Sequence, residues 1–187
     1  VIAVECIFTW YWIADFCDEH EIPFVLGHAL YMKAIHGGKS KNDKIDSHKI
    51  ATMLRAGMLP MAYVYPRKMR ATRDLLRRRE YFMHQQSELL THVKNTNTQY
   101  NYPAFVKRIT AASNRTELAE RFEEPCAQKS IEADLHLLDV YHRVLLDLES
   151  EIKRQAKHHD PVSYHLLQTI PGVGPILALV ILYRSEE

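Results

Sequence analysis

The sequence predicts an α/β layer with a mostly parallel sheet, followed by long helices. Three observations carry that expectation. Short apolar, β-branched runs alternate with helical patterns over the first 66 residues, and such alternation marks helices packed on a sheet. From Arg67 to about Tyr100 the chain holds neither Gly nor Pro. From Ile131 to Lys157 apolar residues recur at mixed three, four and seven spacing, the pattern of a helix that buries one stripe against another helix.

Each element follows from its residues. Val1-Ile-Ala-Val-Glu-Cys-Ile-Phe8 reads as a strand buried on both faces. Glu5 within it needs a partner, a metal or an opening to solvent. Trp10 to Glu21 is helical, with Trp12, Ile13 and Phe16 expected on its inner side. Pro23 to Gly27 is a second strand, and Gly37-Gly38 punctuate a loop. Asp43 to Ala56 is a helix with Ile45, Ile50, Met53 and Leu54 as its apolar side and Gly57 as its stop signal. Ala62 to Tyr65 is expected as a further strand ended by Pro66. One long helix runs from Arg67 to about Tyr100, and the polar stretch Asn95 to Pro103 breaks it. The Ile131–Lys157 helix then completes a helical hairpin or coiled-coil pair, within a chain or between two. Leu166 to Leu182 reads as helix, tight glycine turn, helix. The expected organisation is 1–66, 67–160 and 161–187.

The totals bound the function. The net charge of the 187 residues is +1, but its distribution is uneven. Lys33 to Arg79 holds 13 Lys/Arg against 3 Asp/Glu, and the rest holds 11 against 20. A basic segment of that kind suggests a polyanion partner, although the two regions can also neutralise each other. Cys6, Cys17 and Cys126 share no motif, which predicts a reducing, cytoplasmic setting. No apolar run is long enough for a membrane span. The start at Val1, inside an apolar run, predicts a chain cut at the front.

The candidate chemistry begins at Lys39-Ser-Lys-Asn-Asp-Lys-Ile-Asp46. Asp43 and Asp46 share one helix face at i and i+3. Acids at a helix start also have the ordinary task of capping backbone N–H groups and suiting the dipole. With Glu5 they make three hard oxygen donors, suited to Mg²⁺ or Mn²⁺, the ions of two-metal phosphoryl transfer. Lys39, Lys41, Lys44 and Lys49 would then hold phosphate. Arg67 to Arg79 carries seven bases, Arg67, Lys68, Arg70, Arg73, Arg77, Arg78 and Arg79. Arg70, Arg73 and Arg77 are placed on one face. Guanidinium forks suit phosphate without distinguishing RNA from DNA. Ile170-Pro-Gly-Val-Gly174 resembles the turn of helix–hairpin–helix modules, in which the N–H groups of residues such as Gly172 and Gly174 approach a phosphate. No Lys or Arg lies between Leu166 and Tyr183, so plain helix packing is an equal reading. His158-His159-Asp160 reads as a helix end before Pro161 and not as a metal site.

Taken in order, the residues resemble a known family. A strand bearing Glu5 is followed by Lys-Asn-Asp-Lys-Ile-Asp and Met-Leu-Arg-Ala-Gly-Met-Leu-Pro. Then come Arg-Ala-Thr-Arg-Asp-Leu-Leu-Arg-Arg-Arg and Leu-Gln-Thr-Ile-Pro-Gly-Val-Gly. This order resembles the DEDD transposases of the insertion-sequence family one-ten, relatives of the Piv/MooV invertases, over nearly the whole chain. The resemblance implies a partial RuvC-like, RNase H-type domain at 1–66, with Glu5, Asp43 and Asp46 as three of the four metal-binding acids. It implies a long-helix region that assembles chains, and the start of a C-terminal transposase domain. DNA is the implied substrate, and a structured bridge RNA serves as guide in some members. The family's first Asp and its nucleophilic Ser have no counterpart here, so a truncated and inactive transposase is expected. The alternatives are a non-catalytic nucleic-acid-binding and dimerisation module, and a junction resolvase of similar fold.

Overall fold

A computed structural model describes residues 1–7, 9–35 and 42–184, with side chains at all of these except 33–35, 156–159 and 184. The chain divides into two compact units, Val1–Ala71 with Tyr183–Glu187, and Thr72–Leu182.

The first unit is a small α/β layer. Strand β1 (Ile2–Glu5) pairs in parallel with β2 (Phe24–Gly27), Ile2 opposite Phe24 and Glu5 opposite Gly27. Parallel strands need a crossover, and helix α1 (Trp10–Glu19) supplies it. Side chains alternate along a strand, so the sheet has two distinct faces. Val4, Phe24 and Leu26 pack with Trp10, Ala14 and Tyr65 on one side. Ala3 and Val25 pack with Met32, Ile50, Met53, Leu54 and Leu59 on the other. Met32 belongs to α2 (Ala29–Ile35), which the sequence reading did not separate, and Ile50, Met53 and Leu54 to α3 (Asp43–Arg55).

Three expectations change here. The inner stripe of α1 is Trp10, Ala14 and Cys17, while Trp12 is 66% exposed and Phe16 also faces solvent. The i, i+4, i+7 stripe sets the face, and it places the bulkier Trp12 opposite. Ile45 is exposed as well, because α3 buries only its later turns. Ala62–Tyr65 forms no strand. A single antiparallel bridge joins Met61 to Gly27, and the Ala62 N–H donates to Leu26 O at 2.8 Å. Pro60 and Pro66 bracket the segment and remove donors from it.

The stop after α3 is as expected. Gly57 follows Ala56 with φ of +66° and donates to Leu54 O, a left-handed ending that suits glycine. Nothing lies within 4 Å of a Cβ built there, so only backbone strain opposes a side chain. Gly57→Ala is expected to lower stability by about 1 kcal/mol, read as a shift of the urea midpoint with unchanged m-value.

The second unit is an antiparallel helix pair closed at one end. Helix α4 (Arg67–Gln99) enters it at Thr72, and α5 (Pro125–His159) returns. Arg79 pairs with Glu149, Phe82 meets Tyr141, and His92 meets Asp134. Numbers fall on one helix as they rise on the other, which fixes the antiparallel sense. Val93, Ile131, Leu135 and Leu138 form the seam, with Leu89 and Leu90 packed against it. Helix α5 starts at Pro125, earlier than the expected Ile131, with Pro in the first turn where its missing N–H is harmless.

The polar stretch at Asn95–Pro103 ends α4 late. Asn101 takes a left-handed φ of +56°, and Tyr102 N–H donates back to Asn97 O, which is a Schellman ending built on Asn. Residues 100–124 then fold over the open end of the pair. Ile109, Leu118 and Phe122 enter its core, and two 3-10 turns, Ala112–Asn114 and Ala119–Arg121, shape the path. Helix α6 (Pro161–Gln168) and α7 (Pro175–Arg184) follow. Asp160 ends α5 and caps α6, its Oδ1 accepting from Ser163 N–H at 3.0 Å.

Candidate functional site

The sheet positions one acid and a helix positions two. Glu5 closes β1, two residues after Ala3. Alternation puts it on the same face as Ala3, the face on which α3 packs. On α3, Asp43 and Asp46 continue the stripe of Ile50 and Met53 at i, i+3, i+7 and i+10. Glu5 therefore lies on the sheet face that α3 covers, while exposed Asp43 and half-buried Asp46 stand in the first turn of α3, ahead of the turns that pack there. The cap of α3 is Asn42, whose Oδ1 accepts from Lys44 N–H at 3.0 Å. Neither aspartate is the cap, and both lie in the first turn where negative charge suits the helix dipole.

The donor chemistry fits a hard divalent ion, since all three groups offer oxygen. They are not gathered into a finished site: among the described residues, no three His, Cys, Asp or Glu side chains group closely enough to hold a metal. Asp46 instead pairs with Lys49 at 3.4 Å, at a partly open position. Lys44 is exposed. Lys39 and Lys41 lie outside the described residues.

One residue at this sheet end escaped the sequence reading. His28 follows Gly27, the register partner of Glu5. Its ring stacks on Tyr31 at 4.3 Å, and its buried Nδ1 has no hydrogen-bond partner. Ligands of open α/β sheets gather at the carboxyl ends of strands, and a His directly after the second apolar run was the available signal.

The basic run on α4 divides by environment. Arg70 is corrected from a phosphate contact to an internal brace. It is 7% exposed. Its Nε donates to Tyr65 O at 2.7 Å, and Nη1 donates to Tyr11 O at 3.1 Å and to Asp15 Oδ1 at 2.7 Å. Its guanidinium also lies 4.9 Å from the centre of the Trp10 ring. A buried guanidinium so occupied has no free fork to offer. Arg79 is likewise committed, donating from Nε to Glu149 Oε1 at 2.7 Å, and Arg73 is half-buried. Arg67 is 78% exposed with only a loose 3.7 Å approach to Asp15, and Lys68 is open beside it in the first unit. In the second unit Arg77 and Arg78 are exposed, and Arg78 rests against the rings of Tyr81 and Phe82.

The glycine turn is open. Gly172 has φ of +88°, and nothing lies within 4 Å of a Cβ built at Gly172 or Gly174.

The fold is a small parallel two-stranded α/β layer followed by long helices. Residues 4–102 match the model of the DEDD transposases of IS110 (insertion-sequence family one-ten), described as a transposase. The chain belongs to that transposase family, and DNA transposition is the activity the family carries. No curated protein matches it. No helix among the described residues is long and apolar enough to cross a membrane.

Proposed function

We propose that this chain holds DNA during transposition through exposed cations, Arg67 and Lys68 in its first unit and Arg77 and Arg78 in its second, with Lys44 beside the acids. The observation that carries the reading is that these side chains stay open while Arg70 and Arg79, their neighbours in sequence, are spent on protein contacts. A quadruple charge reversal, Arg67→Glu, Lys68→Glu, Arg77→Glu and Arg78→Glu, is expected to weaken duplex DNA binding about a hundredfold or more at moderate salt. Fluorescence anisotropy reads this directly, and an unchanged affinity rejects the reading. A guide RNA on the same cations, and self-association through α5, which leaves Leu137 and Leu146 exposed, extend the proposal.

Glu5, Asp43 and Asp46 are the residues that would hold Mg²⁺ or Mn²⁺. Such an ion supplies charge neutralisation at a phosphate and activation of an attacking oxygen when bound. The chain's own part is to present oxygen donors from a strand end and a helix start, with Lys44 and Lys49 near the phosphate. Asp43→Ala/Asp46→Ala is expected to lower Mn²⁺ affinity at least about tenfold by isothermal titration. Identical titrations would assign the aspartates to the helix start alone. The ungrouped acids favour a second reading, a nucleic-acid-binding module without chemistry. The two readings separate on the same titration.

A further inference from the structure

Tyr31 stands at the sheet end that carries Glu5. Gly27 closes β2 as the register partner of Glu5. His28 follows it, and the ring of Tyr31 stacks on the His28 ring at 4.3 Å with 25° between the planes. The backbone of His28 is fixed on both sides, its N–H donating to Pro60 O at 2.7 Å and its carbonyl accepting from Met32 N–H at 3.0 Å. The Met32 side chain is buried in the core under the sheet. Tyr31 itself is 59% exposed. One ring face lies on His28, so that exposure belongs to the opposite face and the ring edge.

An open aromatic face held on a braced neighbour differs from a scattered surface residue. Leu30, adjacent in the chain, and Met61, bridged to Gly27, are also exposed. Large apolar groups left open together mark a contact surface. The patch lies at the carboxyl end of the strands, where open α/β sheets receive their ligands, and the family's substrate is DNA. The part of DNA that suits a flat apolar ring is the face of a base. In a duplex both faces of a base are covered by its neighbours, so a protein ring reaches one only where the base has left the stack.

We propose that Tyr31, braced by His28, is the platform on which one unstacked base of bound DNA lies. Leu30 and Met61 extend the apolar surface beside it. Stacking serves any base, because every base has a π-face, so the contact favours a distorted or unpaired position without choosing a sequence. The proposal rests on the reading that this chain holds DNA. It adds what exposed cations cannot supply, since a phosphate contact is the same on paired and unpaired nucleotides.

The test uses the whole chain and three labelled DNA duplexes of one sequence: fully paired, with one bulged adenine, and with one bulged abasic site. Wild type is expected to bind the bulged adenine about tenfold more tightly than either of the others. The abasic probe separates stacking from a mere preference for bendable DNA. Tyr31→Ala changes an exposed side chain, so its melting temperature should match wild type. It should bind all three probes alike, with the affinity of wild type for the paired duplex. Tyr31→Phe keeps the ring and should keep the preference. The charge reversal at Arg67, Lys68, Arg77 and Arg78 should weaken all three probes and leave their ratios in place, so the cation reading and this one fail separately. Equal binding of the three duplexes by wild type, or a preference that survives in Tyr31→Ala, would overturn the proposal.

Discussion

Arg115→Ala is expected to lower the stability of the second unit by about 2–4 kcal/mol, the loss expected when two backbone carbonyls lose a charged donor. Arg115 is buried in the chain that closes the helix pair. Its Nε donates to Ile109 O at 2.9 Å, Nη2 donates to Thr110 O at 2.7 Å, and Nη1 meets Asp139 of α5. One guanidinium thus ties the 109–110 backbone to the returning helix, beside Ile109 in the core. Alanine would leave two carbonyls and a carboxylate without their donor. Lysine cannot serve three acceptors set apart at fork geometry, so Arg115→Lys should recover little. Asp139 is half-exposed, and Asp139→Ala leaves Arg115 its two carbonyl bonds, so it should lower stability by less, about 1–2 kcal/mol. Urea denaturation followed by tyrosine fluorescence separates the two. Equal losses at 115 and 139 would show that the carboxylate pairing, not the carbonyl bonds, carries the stabilisation.

Arg70→Ala is expected to lower the stability of the first unit by about 2–4 kcal/mol, and to leave the DNA affinity of the folded fraction within about twofold. The three acceptors of Arg70 come from α1 and from the end of the extended segment. Its ring contact with Trp10 adds to the core that carries the sheet. Arg77→Ala is the matched control. It should leave the urea midpoint in place and weaken DNA binding. A loss of DNA affinity at Arg70 in fully folded protein, equal to that at Arg77, would contradict the separation of brace from contact.

Arg70 also shows where sequence reading reaches its limit. Helical spacing correctly gave the α4 span and the seam of α5, because an amphipathic stripe is a local pattern. It also gave the ending at Gly57, where a left-handed residue is needed. Spacing does not tell whether an arginine stripe faces water or a carboxylate far away in sequence. Asp15 lies 55 residues from Arg70, and only folding brings them together. Met69 and Thr72 on either side are buried as well, so this turn of α4 is internal. For the same reason Trp12 and Phe16 read as core: nothing local says that Trp10 and Ala14 meet Leu26 instead. The acids were picked out by type and spacing, and on α3 Asp43 and Asp46 fall in the exposed to half-buried first turn. Whether three acids group closely enough for an ion depends on distances that no periodicity encodes, and among the described residues they do not.

The central claim is that exposed cations of this transposase-family chain meet DNA phosphates while its buried ones do not. The salt dependence of duplex DNA affinity tests it most directly, measured for wild type and for the variant with Arg67, Lys68, Arg77 and Arg78 reversed to Glu. The account predicts that log affinity of the wild type falls steeply and linearly with log salt, and that the variant's slope is shallower by about three to four, near 0.9 for each phosphate that the protein no longer neutralises. The same slope in both proteins, or an affinity indifferent to salt in the wild type, would contradict it.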